Sequence, residues 1–267
     1  MTDIVDEASG LPSADVMPEG RFTRLRRYNV VMGVLHAVQA VAVVALATSF
    51  ALPVTAAFMT GPPGSKPAAP ATLFDVSIAW GCALFLLLSA AAHLIIASPP
   101  VFPWYRANLL LSRNYARWIE YSLSASVMIV LIALITGISD IAALVALFGV
   151  NVSMILFGLL QERYEKPGAG MLPFWLGCIA GATPWIAIGI YLVSPGNAAN
   201  PPGFVYGIFI SLFVCFNCFA LNQWLQYRRI GRWNDYLHGE SVYIALSLVA
   251  KSLLAWQVFA GTLVPPS

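Results

Sequence analysis

Two ionisable side chains, Glu120 and Lys251, sit in the middle of long apolar stretches. A charge at the centre of a bilayer costs about 2.5–3.5 kcal/mol even on the lenient insertion scale, so each must pair with something or do something. Lys251 lies about 13 residues into the last apolar stretch, roughly 20 Å along a helix, and Glu120 lies a comparable distance past Pro103. The two depths match. Three kinds of chemistry suit such a pair. One is a buried salt bridge that only fixes packing, a poor stabiliser because it barely breaks even with apolar replacements. Another is proton-coupled transport. In the third, an amine kept out of water condenses with an aldehyde, and a carboxylate neutralises the iminium so formed. That last chemistry predicts one lysine, one acid and an aromatic pocket. Ser247 stands one turn before Lys251 on the same face, so its hydroxyl can approach either partner or bond back to its own helix.

The stretches around this pair cannot belong to a water-soluble globule. Of 267 residues, 59% are apolar and 10% charged, and the mean hydropathy is +0.78, far outside soluble averages. A span needs about 20 mainly apolar residues to cross a hydrocarbon core. Seven such stretches run at about 28–50, 74–98, 106–137 (its apolar core from Arg113), 141–161, 171–194, 203–227 and 238–262. The chain therefore reads as an all-α membrane protein, a single seven-helix domain over residues 21–267 behind a polar leader, residues 1–20, that is expected to be disordered. The first span is too long for a signal-peptide core and is read as retained. The connection from Ala51 to Leu73, rich in Pro, Gly and Ala, reads as an irregular loop with room for a short hairpin or a contact to a second subunit. Cys82, Cys178, Cys215 and Cys218 read as small buried hydrophobes.

Charge sets the orientation. Arg21, Arg24, Arg26 and Arg27 precede the first span. Arg106, Arg113 and Arg117 lie between the second and third, Arg163 and Lys166 between the fourth and fifth, and Arg228, Arg229 and Arg232 between the sixth and seventh. The opposite side offers only Lys66. The positive-inside rule then puts the N-terminus in the cytoplasm and the C-terminus outside, in a cell membrane crossed several times. These basic residues form no run or aromatic-interleaved stripe, so nucleic acid is excluded as a partner.

Seven helices, a mid-membrane lysine in Ser247-Leu-Val-Ala-Lys251-Ser252, and Arg117-Trp118-Ile119-Glu120-Tyr121 with the arginine one turn before the acid resemble a microbial rhodopsin. The inverted orientation, with the Ser-x-x-x-Lys and Trp-x-Glu-Tyr-Ser strings, is similar to the heliorhodopsin family over all seven helices. The resemblance implies a rhodopsin-type bundle and all-trans retinal as a Schiff base on Lys251. It makes Glu120 the sole counterion, with Ser247 and Ser89 hydrogen-bonded to this pair. His36 and His93 are histidines within spans, where a satisfied packing role is the commoner outcome. By resemblance they line a cytoplasmic-side polar cavity with Gln39, Asn114, Trp118 and Tyr121. The retinal pocket would be made by Tyr121, Ser124, Asn151, Met154, Trp175, Phe213 and Phe216, the last resting on the resemblance more than on the aromatic spacing of Phe209, Phe213 and Phe216.

An outward pump needs a donor carboxylate on the far side of the site, and Leu131 stands where one would sit. Asp75, Asp140, Glu162, Glu165, Asp235 and Glu240 all read as helix-end or loop acids. The function expected is a photosensor or light-dependent regulator without efficient ion pumping. It is expected to be neither an enzyme nor a metal protein, to form a homodimer and to carry no fused output domain, so that a separate cytoplasmic signalling protein would have to read it. The alternatives are a light-gated or light-driven ion transporter and a retinal-free seven-helix proton-coupled transporter.

Overall fold

The computed structural model describes residues 19–194, 196 and 200–264. Eight α-helices and one hairpin follow in order: α1 (Glu19–Leu46), β1 (Ala51–Ala56), β2 (Ala71–Ser77), α2 (Ile78–Ala97), α3 (Phe102–Leu110), α4 (Tyr115–Ile135), α5 (Ile141–Tyr164), α6 (Leu172–Val193), α7 (Gly203–Arg228) and α8 (Tyr236–Val258). A 3₁₀ turn (Gly231–Asn234) leads into α8, and a π turn (Phe259–Leu263) ends it. All of the helices except α3 are long and apolar enough to span a membrane.

Side-chain caps set several helix starts. The Asn114 side-chain oxygen accepts from the Arg117 amide at 3.1 Å, Asp140 from Ala142 at 2.9 Å, and Asp235 from Leu237 at 3.1 Å, each satisfying an orphan first-turn N–H. Helix α4 stops at Gly137, whose φ of +97° suits a residue without a Cβ. The amides of Gly137 and Ile138 fold back onto the carbonyls of Leu134 and Ala133, the bond pattern of a Schellman stop.

Three expectations need correction. The span expected at 106–137 is two helices. Ser112 takes a left-handed φ of +55° and Asn114 caps a new helix, so the chain turns between α3 and α4. Helix α1 starts well before residue 28, and Glu19 and Gly20, assigned to a disordered leader, are helical; the rest of the leader lies outside the described residues. Glu19 pairs with Arg106 at 3.1 Å, Arg106 lies over the Phe22 ring, and Arg21 pairs with Asp235. These contacts staple the first turns of α1 to α3 and to the entrance of α8.

The membrane-spanning architecture is all-helical, as expected, and one short hairpin is added in the connection between the first two spans. The loop read as irregular holds an antiparallel hairpin, with Ala51 opposite Ser77 and Val54 opposite Phe74. β-branched and aromatic residues in Val54-Thr55 and Thr72-Leu73-Phe74 favour the pleat, and β2 takes residues 74–77 from the span expected to begin there. Thr55 ties the hairpin to the α4–α5 turn: its amide donates to the Ser139 carbonyl at 2.8 Å and its hydroxyl meets the Ser139 hydroxyl at 3.0 Å. This is the hairpin end of the bundle. The opposite, basic end carries the arginine-rich connections.

Helices α1, α2, α4, α5 and α6 pack in sequence, α8 closes the ring between α7 and α1, and α6 and α7 barely touch. The hairpin half of the interior is mainly apolar, with Ile78, Phe85, Ile129, Ile132, Leu254 and Val258 fully buried. Large apolar side chains such as Val38, Trp80, Ile179 and Val193 point outward, as lipid-facing helices require. Of the cysteines only Cys82 is buried, Cys215 and Cys218 are half-buried, and Cys178 is exposed, which corrects the reading of all four as interior residues.

Candidate functional site

Helix α8 carries Lys251 inward and α4 carries Glu120 toward it; the ammonium donates to the carboxylate at 2.9 Å, and the two side chains are 4% and 9% exposed. Two hydroxyls complete the group. Ser247, one turn earlier on α8, accepts from Lys251 at 3.0 Å. Ser89 on α2 donates to the same carboxylate oxygen at 2.6 Å. Each charge thus has the additional hydrogen bonds that a buried pair needs.

One turn beyond Ser89 toward the basic end, His93 stacks on His36 with ring centroids 5.7 Å apart. The His93 Nδ1 meets the Asn29 side-chain oxygen at 2.7 Å. His36 is fully buried and neither of its ring nitrogens has a partner among the described residues, a costly arrangement for a polar ring.

Gln39 is not part of this group. It lies three residues beyond His36, turned to the seam between α1 and α8, where it accepts from the Trp256 indole at 3.0 Å. Asn114 and Trp118 belong to a second polar centre. There Arg117 is paired with both Glu162 and Glu240, Trp118 donates to Glu162 at 2.6 Å, and Asn114 donates to Glu240 at 2.8 Å through its side chain and to Glu162 at 2.9 Å through its backbone. Tyr236 donates to Glu162 at 3.1 Å and Tyr105 to Glu240 at 3.0 Å. Burial and the neighbouring Glu240 carboxylate push the Tyr105 hydroxyl well above its usual range, so it remains a neutral donor. Arg117 lies over the Tyr243 ring at 3.9 Å.

Glu162 and Glu240, read from sequence as helix-end acids, are therefore buried partners of Arg117. The available signal was Arg117 itself. It lies one turn from Glu120 on the buried face of α4, and a buried guanidinium requires carboxylates of its own.

Beside Lys251 a cavity of about 310 Å³ runs between α4, α5, α6, α7 and α8. Tyr121, Trp118, Met154, Phe213 and Phe216 line it along with Ser247 and Lys251. Trp185, which the sequence reading missed, is a further aromatic wall, with Phe209, Phe213 and Phe216 set edge-on to it at 5.6, 5.4 and 5.3 Å. Gly158 and Gly181 leave the cavity its width, because a Cβ at either would run into Trp118 or Met154.

Three expected pocket residues lie elsewhere. Trp175 is 53% exposed on the outside of α6, since the cavity face of that helix is Phe174, Gly177, Cys178, Gly181 and Trp185 and residue 175 is turned about 100° from Phe174. Asn151 is buried behind α4, donating to Ser126 at 2.9 Å. Ser124 is fully buried, outside the cavity lining, with no hydrogen-bond partner among the described residues.

A model of the heliorhodopsin family matches residues 25–263. The chain belongs to the heliorhodopsin family. Among solved structures, this heliorhodopsin is similar to a cyanorhodopsin from the cyanobacterium Tolypothrix, with 13% identity and a TM-score of 0.59 over 95% of this chain and 96% of that one. It is also similar to a light-driven proton pump from Leptosphaeria maculans, with 14% identity and a TM-score of 0.57 over 87% and 94%. At such identities the likeness is one of fold. A search of curated proteins finds no match. Membership makes this a multi-pass membrane protein and implies a retinal chromophore. The residues fit one, because a narrow aromatic cavity ends on a single amine held against a single carboxylate.

Proposed function

We propose that this heliorhodopsin is a light sensor or light-dependent regulator, with all-trans retinal joined to Lys251 as a protonated Schiff base and Glu120 as its only counterion. The observation that carries the reading is the isolated Lys251–Glu120 pair at the end of an apolar cavity. The chromophore supplies light absorption and a change of shape. Lys251 holds it, Glu120 balances the charge, Ser89 and Ser247 orient both groups, and Trp185, Phe213 and Phe216 keep water from the walls. The stacked rings of His36 and His93, one turn from Ser89, are the proposed resting place of a proton released from the Lys251 nitrogen. Time-resolved infrared spectra of His36→Phe and His93→Phe check that role; unchanged proton-transfer kinetics in both would remove it.

The mainly apolar hairpin half supports sensing over pumping. With Ile129, Ile132, Leu254 and Val258 fully buried there and Leu131 in place of a donor acid, no carboxylate among the described residues stands inside that half to relay a proton outward. We place the N-terminus in the cytoplasm from the twelve basic residues on that side. Arg106, Arg113, Arg163, Lys166, Arg228, Arg229 and Arg232 then face a cytoplasmic signalling protein as well as anionic lipid. A second copy docks on the outer face of the hairpin, where Leu73 and Phe74 are exposed. The deciding experiment is expression with all-trans retinal. A visible band that hydroxylamine bleaches and Lys251→Ala abolishes is expected; a colourless wild type would favour a retinal-free transporter.

A further inference from the structure

Resting on the retinal reading, we propose that the far end of the cavity is built for a ring-hydroxylated retinal, with the side-chain carbonyl of Asn217 accepting a hydrogen bond from the ring hydroxyl. Asn217 is a polar residue midway along α7, about 21 Å from its start at Gly203. It is exposed and lines the cavity. Its amide nitrogen donates back to the Phe213 carbonyl at 2.8 Å, which leaves the oxygen with no partner among the described residues. An amide oxygen facing hydrocarbon is expensive unless a donor reaches it.

The position of Asn217 identifies the donor. Phe219 is the α7 side chain that packs on Tyr243 of α8, the helix that carries Lys251. Asn217 stands about 160° round the helix from Phe219, on the side turned away from α8 and toward the opening where α6 and α7 barely touch. The cavity reaches from Lys251 to Asn217 and the α6 residues Gly177 and Cys178, so a polyene fixed at Lys251 would direct its ring toward this opening. The small side chains of Ala182 and Ala220 line the cavity and leave room for a substituent on the ring. A plain retinal ring is hydrocarbon throughout and leaves the Asn217 oxygen unsatisfied. A hydroxyl on the same ring satisfies it, while the aldehyde at the other end condenses with the Lys251 amine and releases one water in either case.

The test is competition. Apoprotein made without retinal is given an equimolar mixture of all-trans retinal with all-trans 3-hydroxyretinal, and separately with 4-hydroxyretinal; bound chromophore is then extracted and counted. One of the hydroxylated forms should be enriched about fivefold, the ratio that one hydrogen bond of about 1 kcal/mol gives. That ratio should fall to near one in Asn217→Leu or Asn217→Ala, read in whichever variant forms pigment. In infrared difference spectra the Asn217 amide carbonyl band should move to lower frequency with the hydroxylated chromophore alone. Wild type that takes all three equally, or keeps its preference in both variants, overturns the assignment while leaving the retinal reading intact. Wild type that stays colourless with every aldehyde removes both.

Discussion

The Lys251–Glu120 pair fixes what neutralising a single charge should do. With one counterion 2.9 Å from the lysine nitrogen, protonating Glu120 destabilises the ground state of a protonated Schiff base more than its excited state. The visible band of wild type should therefore move to the red on acidification. Glu120→Gln should already be red-shifted at neutral pH and should lose that acid transition; titration of the absorption spectrum checks both. Arg117 allows a prediction about stability. Arg117→Gln leaves Glu162 and Glu240 buried without their cation and should cost about 3–5 kcal/mol, whereas Trp175→Leu, on the lipid face, should stay within about 0.5 kcal/mol. Thermal unfolding in detergent distinguishes them. The two charges at the site were legible in the sequence because they interrupt apolar stretches. Glu162 and Glu240 were not, because an acid two residues from the end of α5 or four past the start of α8 looks interfacial until the neighbouring helix is seen to deliver Arg117.

At the level of elements, α6 is the wall most sensitive to change. Gly181 sits against Met154, and Gly181→Leu pushes a side chain into the cavity at a cost of about 1–3 kcal/mol. Pigment formation with retinal should fall about tenfold, measured as colour recovered per mole of protein, with little change in helix content by circular dichroism. The same helix shows where sequence reading stops. Phe174 and Trp175 are adjacent and equally aromatic, and only the placement of α6 against α5 and α7 decides which of them faces in. The break between α3 and α4 escaped notice because Leu109, Leu110 and Leu111 continue an apolar run. The hairpin was hidden by the five prolines of its loop. The long spans themselves needed no such context, since length and hydropathy suffice to mark a helix that must satisfy its own backbone in lipid.

For the whole molecule, orientation and transport are the quantities at stake. A protease site placed before Arg21 should be cut in inside-out vesicles and protected in intact cells, and illuminated cells should show no sustained pH change at an electrode. Protection in the opposite sense would overturn the orientation drawn from the basic residues, and a sustained, uncoupler-sensitive pH change would overturn the sensor reading. Mechanically the two ends of the bundle are unlike. At one end Thr55 knots the hairpin to Ser139, Gly137 locks the exit of α4, and the interior is mainly apolar, its few polar groups already paired locally, as Asn151 is with Ser126 and Ser211 with Gln257. At the other, arginines, carboxylates and histidines are joined by bonds that can be exchanged without opening a void. A chromophore that changed shape between them would work against a fulcrum, so that on the sensor reading its stroke would emerge at the basic end, amplified by the length of helix between Lys251 and the surface.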